Sequence, residues 1–311
     1  MAPQGGIIYC VIGCTFAPKA RSPTQAHTGR FTKFVRWIQG PGPVIRAPST
    51  ESWLSLVPAL SVTVPMQIAL VGTGQMGEAV ETVAREEGHV IEARFHSERP
   101  FGEADPSAVR AADVAIDFSL PSLALSHIRQ YCTWGLPAVI GTTGWYDDLE
   151  TVEALVAEHE ASLLYAPNFS LGVAVMRRAL QGVLPLLDRL DDYDPFVREM
   201  HHTRKVDSPS GTATMLGGLL VEGLERKDHV EAETQHERID PTAVHVTSTR
   251  AGTIYGEHTV GFDGPYDQIT VGHRAKNRRG FAAGALRAAD WLIGRQGLFT
   301  LDDMLEHWLD A

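Results

Sequence analysis

The sequence predicts an α/β protein: a doubly wound parallel sheet with a second α+β domain built on a mixed or antiparallel sheet. Three observations predict it. Short apolar runs alternate with helix-period segments between residues 66 and 168, the pattern of strand–helix–strand units. Several β-rich segments with few helices follow between 169 and 277, which favours antiparallel or mixed pairing. A glycine-rich turn, Gly72-Thr73-Gly74-Gln75-Met76-Gly77, closes the first apolar run and opens a helix.

The elements follow in order. Strands are expected at 68–71, 90–95, 114–118, 138–140 and 162–165. Helices are expected at 78–87, stopped by Gly88, from 121 to about 131, and at 147–159. Pro121 suits the first turn of its helix. Parallel neighbours imply right-handed crossovers. A helix is expected at 172–187 and another at 213–224. Strands are expected at 196–201, 243–250, 257–262 and 268–272, with a turn at Asp263-Gly264-Pro265. Helices at 281–293 and 301–309 should pack back on the first domain. One domain therefore comprises 66–168 plus 278–311, and the other 169–277.

Residues 1–65 read differently. Pro41-Gly42-Pro43 interrupts them, periodicity is weak, and Glu51 is their only acid against Lys19, Arg21, Arg30, Lys33, Arg36 and Arg46. A transit peptide, a basic arm and an over-extended start before Met66 all fit. The last is favoured, because parallel α/β enzymes commonly begin at their first strand.

The net charge of −11 over 311 residues thus understates the acidity of the body. An acidic body argues against a nucleic-acid partner, whose phosphates need a basic face. No apolar run is long enough to span a bilayer. Of three cysteines only Cys132 lies in the body. That speaks against an intrachain bridge there and for a reducing, cytoplasmic setting. Cys132 reads as a small buried hydrophobe.

The glycine loop after a strand is the context of a dinucleotide site. Gly72 permits the turn, Gly74 lets the backbone approach a pyrophosphate, and Gly77 lets helix and strand pack. The fold is therefore expected to be Rossmann-like. Arg94, near the end of the second strand, suits a 2′-phosphate and leans towards NADPH, while Glu92 or Glu98 keeps NADH open. Gly141-Thr142-Thr143-Gly144 and Pro167-Asn168-Phe169-Ser170 both follow parallel strands. They should lie at the carboxyl edge of the sheet, where cofactor contacts gather.

Residues 199–213, Glu-Met-His-His-Thr-Arg-Lys-Val-Asp-Ser-Pro-Ser-Gly-Thr-Ala, carry the chemistry. His201 and His202 offer proton donation near neutral pH. Lys205, one of only five lysines, supplies a cation, and Asp207 can orient it. Gly211 and Thr212 open a helix whose free N–H groups form an anion site. Adjacent histidines without a third ligand at useful spacing do not suggest a metal.

This run closely resembles the hallmark of the dihydrodipicolinate reductase family, also called 4-hydroxy-tetrahydrodipicolinate reductase. The resemblance extends from Met66 to about the C-terminus. It includes the glycine loop, 141–143, 167–170, and the spacing from Arg250 through Ala251-Gly252 to Gly256-Glu257-His258. It implies NAD(P)H-dependent reduction of a cyclic, unsaturated dicarboxylate, with His201 and Lys205 as proton donors. It also implies His202, Gly211 and Thr212 as carboxylate contacts, Arg278 on the cofactor side, and a homotetramer built through the second domain's sheet. Thr203-Arg204 departs from the more basic residues usual there, and the glycine loop is one residue shorter than in many members. An aspartate-dehydrogenase-like imine reductase and a nicotinamide-binding protein without turnover are the alternatives.

Overall fold

The computed structural model describes residues 64–310; the expectations for residues 1–63 lie outside them. β1 (Gln67–Val71) is buried on both faces: Ile68 and Leu70 enter one core, Ala69 and Val71 the other. Such two-sided burial belongs to a parallel sheet covered on both faces. The chain continues through α1 (Gln75–Glu86), β2 (Val90–Phe95), β3 (Val114–Asp117) and α2 (Pro121–Trp134). β4 (Ala138–Ile140), α3 (Leu149–His159) and β5 (Ser162–Tyr165) complete the alternation. α2 begins on proline and ends at Gly135 with φ 62°, the left-handed conformation glycine tolerates at a helix stop.

A helix α4 (Leu171–Leu187) leads into the second sheet. It is capped by Ser170, whose hydroxyl accepts from Val173 N at 3.3 Å. The second sheet contains β6 (Asp194–His201), β7 (His229–Glu231), β8 (Ala243–Arg250), β9 (Glu257–Asp263) and β10 (Gln268–Arg274), with α5 (Gly211–Gly223) between β6 and β7. Its order is β10-β9-β6-β8-β7. β6 pairs parallel with β8 and antiparallel with β9, so the sheet is mixed. Val197, Val246, Val260 and Phe262 from its inner face pack on Leu216 and Leu220 of α5 and Leu180 of α4.

The tail returns to the first sheet as α6 (Arg279–Leu292), β11 (Gly297–Thr300) and α7 (Leu301–Asp310). Leu286, Leu292 and Met304 join the core under Ile68 and Leu70. β11 pairs parallel with β5, giving six parallel strands in the order β11-β5-β4-β3-β1-β2. Neither β7 nor β11 was expected. They have three and four residues, and pairing defines them as strands: β7 with β8 and β11 with β5.

Strand order reverses at β1, which lies between β3 and β2. The crevice at the carboxyl ends of β1 and β3 is where open α/β sheets bind ligands. Gly72, with φ 89°, sits there against the backbone of Phe118 from the end of β3.

Candidate active site

Two cavities open at this edge. The smaller, about 320 Å³, is lined by Gly72, Thr73 and Gly74 together with Phe95, His96 and Ser97 from the end of β2. The three glycines have different surroundings. A methyl group on Gly72 would meet the Phe118 backbone, and one on Gly77 would collide with the Gly72 carbonyl oxygen. At Gly74 it would meet nothing within 4 Å. The chain thus packs tightly at Gly72 and Gly77 and leaves open space at Gly74, beside the free N–H groups of α1. This fits a nucleotide diphosphate. Gln75 is the exposed first residue of α1, and Met76 lines the larger cavity.

Arg94 stands apart. Its guanidinium is tied to Glu81 of α1, with Nε donating to Oε2 at 2.9 Å, and it lines neither cavity. Among the described residues no carboxylate lines the smaller cavity, where Ser97 and His96 take the positions next to the end of β2.

The larger cavity, about 790 Å³, lies between the two sheets. Gly141, Thr143, Pro167 and Asn168 face it from the first lobe, and Phe169 from the segment leading into α4. Gly141 has no room for a side chain, because the Phe118 ring lies against it. Thr142 does not reach the cavity: its hydroxyl donates to the buried Asp117 at 3.2 Å. Asp117 also accepts from Ser119 N and the Tyr131 hydroxyl, both at 2.8 Å, and pairs with His127 at 2.9 Å. The loops after β3 and β4 are therefore held by one carboxylate. Ser170 does not line the cavity either: its hydroxyl caps α4.

From the second lobe come His201, His202, Lys205, Gly211 and Thr212. β6 ends at His201, whose side chain shares the inner face with Glu199 and Val197, following the two-residue period of a strand. The Glu199 carboxylate bonds His201 Nδ1 and accepts from Arg250 at 2.7 Å and Ser210 N at 3.2 Å. Burial pushes its carboxyl up, but the bonds from Arg250 and His201 outweigh it and hold it at about 2. Burial lowers His201 below the ordinary histidine value, partly offset by Glu199. Since Glu199 occupies Nδ1, the Nε2 atom is left for the cavity.

Past the strand, the His202 backbone N–H donates to Ile254 O at 2.7 Å and Lys205 N donates to His202 O at 3.1 Å. This turn sets Lys205 Nζ 2.8 Å from Asp207. α5 then begins at Gly211, two residues earlier than expected, with Ser210 as its cap; Ala213 N donates to the Ser210 hydroxyl at 3.2 Å. Asn168 Nδ2 donates to Thr212 Oγ1 at 3.0 Å, joining the nucleotide-side loop to the anion cradle. Arg278, the cap of α6, completes the rim with its guanidinium 5.6 Å from the Tyr255 ring centre.

Glu199, Arg250 and His258 carry no role in the sequence reading. One signal was available: an acid two residues from a histidine on the apolar face of a strand. Donor atoms of Glu199, His201 and His258 lie within 4.8 Å of one another. Glu199 is already shared by Arg250 and His201, and a cation there would have to displace the guanidinium. The cluster fits a hydrogen-bond relay.

A glycine-loop nucleotide site facing a histidine, a lysine and a helix N-terminus defines a nicotinamide-dependent oxidoreductase for an anionic substrate. The comparisons agree. The dihydrodipicolinate reductase N-terminus family matches residues 66–169, and its C-terminus family matches 172–305. The chain belongs to the dihydrodipicolinate reductase family. The 4-hydroxy-tetrahydrodipicolinate reductase of Christiangramia forsetii is 35% identical over 240 residues, covering 77% of this chain and 98% of that protein. That of Staphylococcus haemolyticus is 36% identical over 250 residues, covering 77% and 100%. A dipicolinate-bound dihydrodipicolinate reductase from Paenisporosarcina sp. TG-14 shares the fold, with a TM-score of 0.62 at 20% identity over 76% of this chain and 98% of that one.

Proposed function

We propose that the chain reduces 4-hydroxy-tetrahydrodipicolinate to tetrahydrodipicolinate with NADPH or NADH and one proton, the 4-hydroxyl leaving as water, on the diaminopimelate route to lysine. One observation carries this reading: His201, Lys205 and the N-terminus of α5 converge in a single cavity with the nucleotide-side loops. The lobe of 66–168 with 278–311 binds the nucleotide, and 169–277 binds the dicarboxylate.

The bound nicotinamide supplies a hydride. The chain supplies everything else. The N–H groups at Gly211 and Thr212, with the Thr212 hydroxyl, hold one carboxylate. His202 and the Lys205 ammonium meet substrate charge, which frees Lys205 from Asp207. His201, fixed through Nδ1 by Glu199, presents Nε2 as the proton donor and is restored from solvent. Lys205 is the second donor. Phe118, Phe169 and Tyr146 wall the nucleotide side and exclude water.

Beyond the single chain, we propose a cytoplasmic homotetramer. Arg198, Thr247, Thr249 and Thr270 are exposed on the outer face of the second sheet, opposite α4 and α5, a broad surface for a second copy. Among the described residues no helix is long and apolar enough to cross a membrane. The test is oxidation of NADPH and NADH by the purified protein with the product of dihydrodipicolinate synthase. Loss of nicotinamide absorbance with that substrate, and not with oxaloacetate and ammonia, is expected. Oxidation with oxaloacetate and ammonia alone would favour the aspartate-dehydrogenase-like alternative.

A further inference from the structure

His258 lies on β9, far in sequence from the loop that carries His201 and Lys205. In the register of the two strands it stands opposite Glu199, so the two side chains share a face of the sheet. Its imidazole is 4% exposed and faces the larger cavity. The ring stands edge-on to His201, with centres 5.2 Å apart at 72°. Nε2 lies 3.1 Å from the Ser210 hydroxyl. Nδ1 is buried and has no partner among the described residues.

Ser210 is the meeting point. Its hydroxyl caps α5 by accepting from Ala213 N, and its backbone N–H donates to Glu199. Two neighbouring strands therefore reach the same residue: β6 through the Glu199 carboxylate and β9 through His258. Of the staggered rotamers open to a serine, the His258 bond favours the one that caps α5. Burial, with a smaller contribution from the facing His201, pushes His258 down to about 4. It stays neutral and adds no charge beside the imidazolium that His201 must carry.

We propose that His258 is a positioning residue for the reduction, fixing the proton donor at the end of β6 relative to the carboxylate cradle at the start of α5. Misplacing a reacting group by about 1 Å can cost on the order of 100-fold in rate, so a rigid link between donor and cradle has a direct kinetic value. The inference rests on His201 as donor and α5 as cradle.

The test compares His258→Leu, which has no polar atom, with His258→Gln, whose amide reaches the place of Nε2, and His258→Asn, whose amide reaches only that of Nδ1. The readouts are KM for the dicarboxylate, kcat, and the dissociation constant for NADPH. In His258→Leu and His258→Asn, KM should rise about tenfold, the scale of one lost hydrogen bond, and kcat should fall. His258→Gln should recover most of both. NADPH binding should be unchanged in all three, which also reports that they fold. Combining His258→Leu with Ser210→Ala should give less than the sum of the single effects. Wild-type KM and kcat in His258→Leu, equal impairment of Gln and Asn, or full additivity with Ser210→Ala would each overturn the proposal. An inactive wild-type enzyme would instead overturn the functional reading beneath it.

Discussion

The carboxylate of Glu199 bonds Nδ1 of His201 from two residues earlier on the same strand face. This contact fixes the imidazole tautomer and directs Nε2 into the cavity. Glu199 is fully buried and Arg250 balances its charge. Glu199→Gln should keep the fold and NADPH affinity while lowering kcat by about 10–100-fold, a part of what general acid catalysis supplies. Steady-state kinetics check this; wild-type kcat in Glu199→Gln would remove Glu199 from any role in positioning the acid.

The glycine loop separates binding from stability. Gly74→Ala adds a methyl group in open space, so its Tm should match wild type. The same methyl obstructs the diphosphate, and NADPH should bind about tenfold or more weakly. Gly77→Ala meets the Gly72 carbonyl and should destabilise the fold by about 1–3 kcal/mol. Thermal melts with cofactor titrations separate the two; a lowered Tm in Gly74→Ala would contradict the assignment.

Nucleotide preference should follow the end of β2. Arg94 is occupied by Glu81, so Arg94→Ala should change the ratio of NADPH to NADH efficiency by less than about threefold, the scale of a modest surface ion pair. Ser97 lines the smaller cavity. Ser97→Glu should shift the ratio towards NADH, because a carboxylate accepts from the ribose hydroxyls and repels a 2′-phosphate. A large loss of NADPH efficiency in Arg94→Ala would return Arg94 to the cofactor site.

Acid should destabilise the protein in two stages. His258 is held at about 4, below its ordinary 6.5. The unfolded chain therefore gains a proton that the folded one refuses, and stability falls as pH drops from 6.5 towards 4. Glu199 is held at about 2, below 4.5. Its contribution is complete above 4.5 and is lost as pH falls towards 2. Tm measured against pH should decline through both windows, and His258→Gln should make the upper decline shallower, leaving the part due to His201, His202 and His273, which are also held low. A Tm unchanged between pH 6.5 and 4 would contradict the first stage.

Strands with strict burial, such as β1, and the glycine loop were legible because local sequence alone dictates them. β11 was not, since its four residues become a strand only through β5. The polar cluster from His201 to Thr212 was legible as a candidate site, because polar residues at a helix start have few structural reasons to cluster. Its supports were not. Glu199 is supplied by the same strand, but Arg250 and His258 arrive from neighbouring strands some fifty residues away, and only the sheet register brings them together. Arg94 shows the converse: position on β2 suggested a nucleotide contact, and the side chain is drawn to α1 by Glu81.

The central claim is that His201 and Lys205 act on a dicarboxylate held at the start of α5. The most direct measurement is the steady-state kinetics of wild type, His201→Gln and Lys205→Ala on that substrate, alongside NADPH dissociation constants. In His201→Gln kcat should fall by about 100–10,000-fold with NADPH affinity retained, and in Lys205→Ala kcat should fall together with a raised KM for the dicarboxylate. Wild-type turnover in either variant, or no nicotinamide oxidation by the wild-type protein, would contradict the central claim.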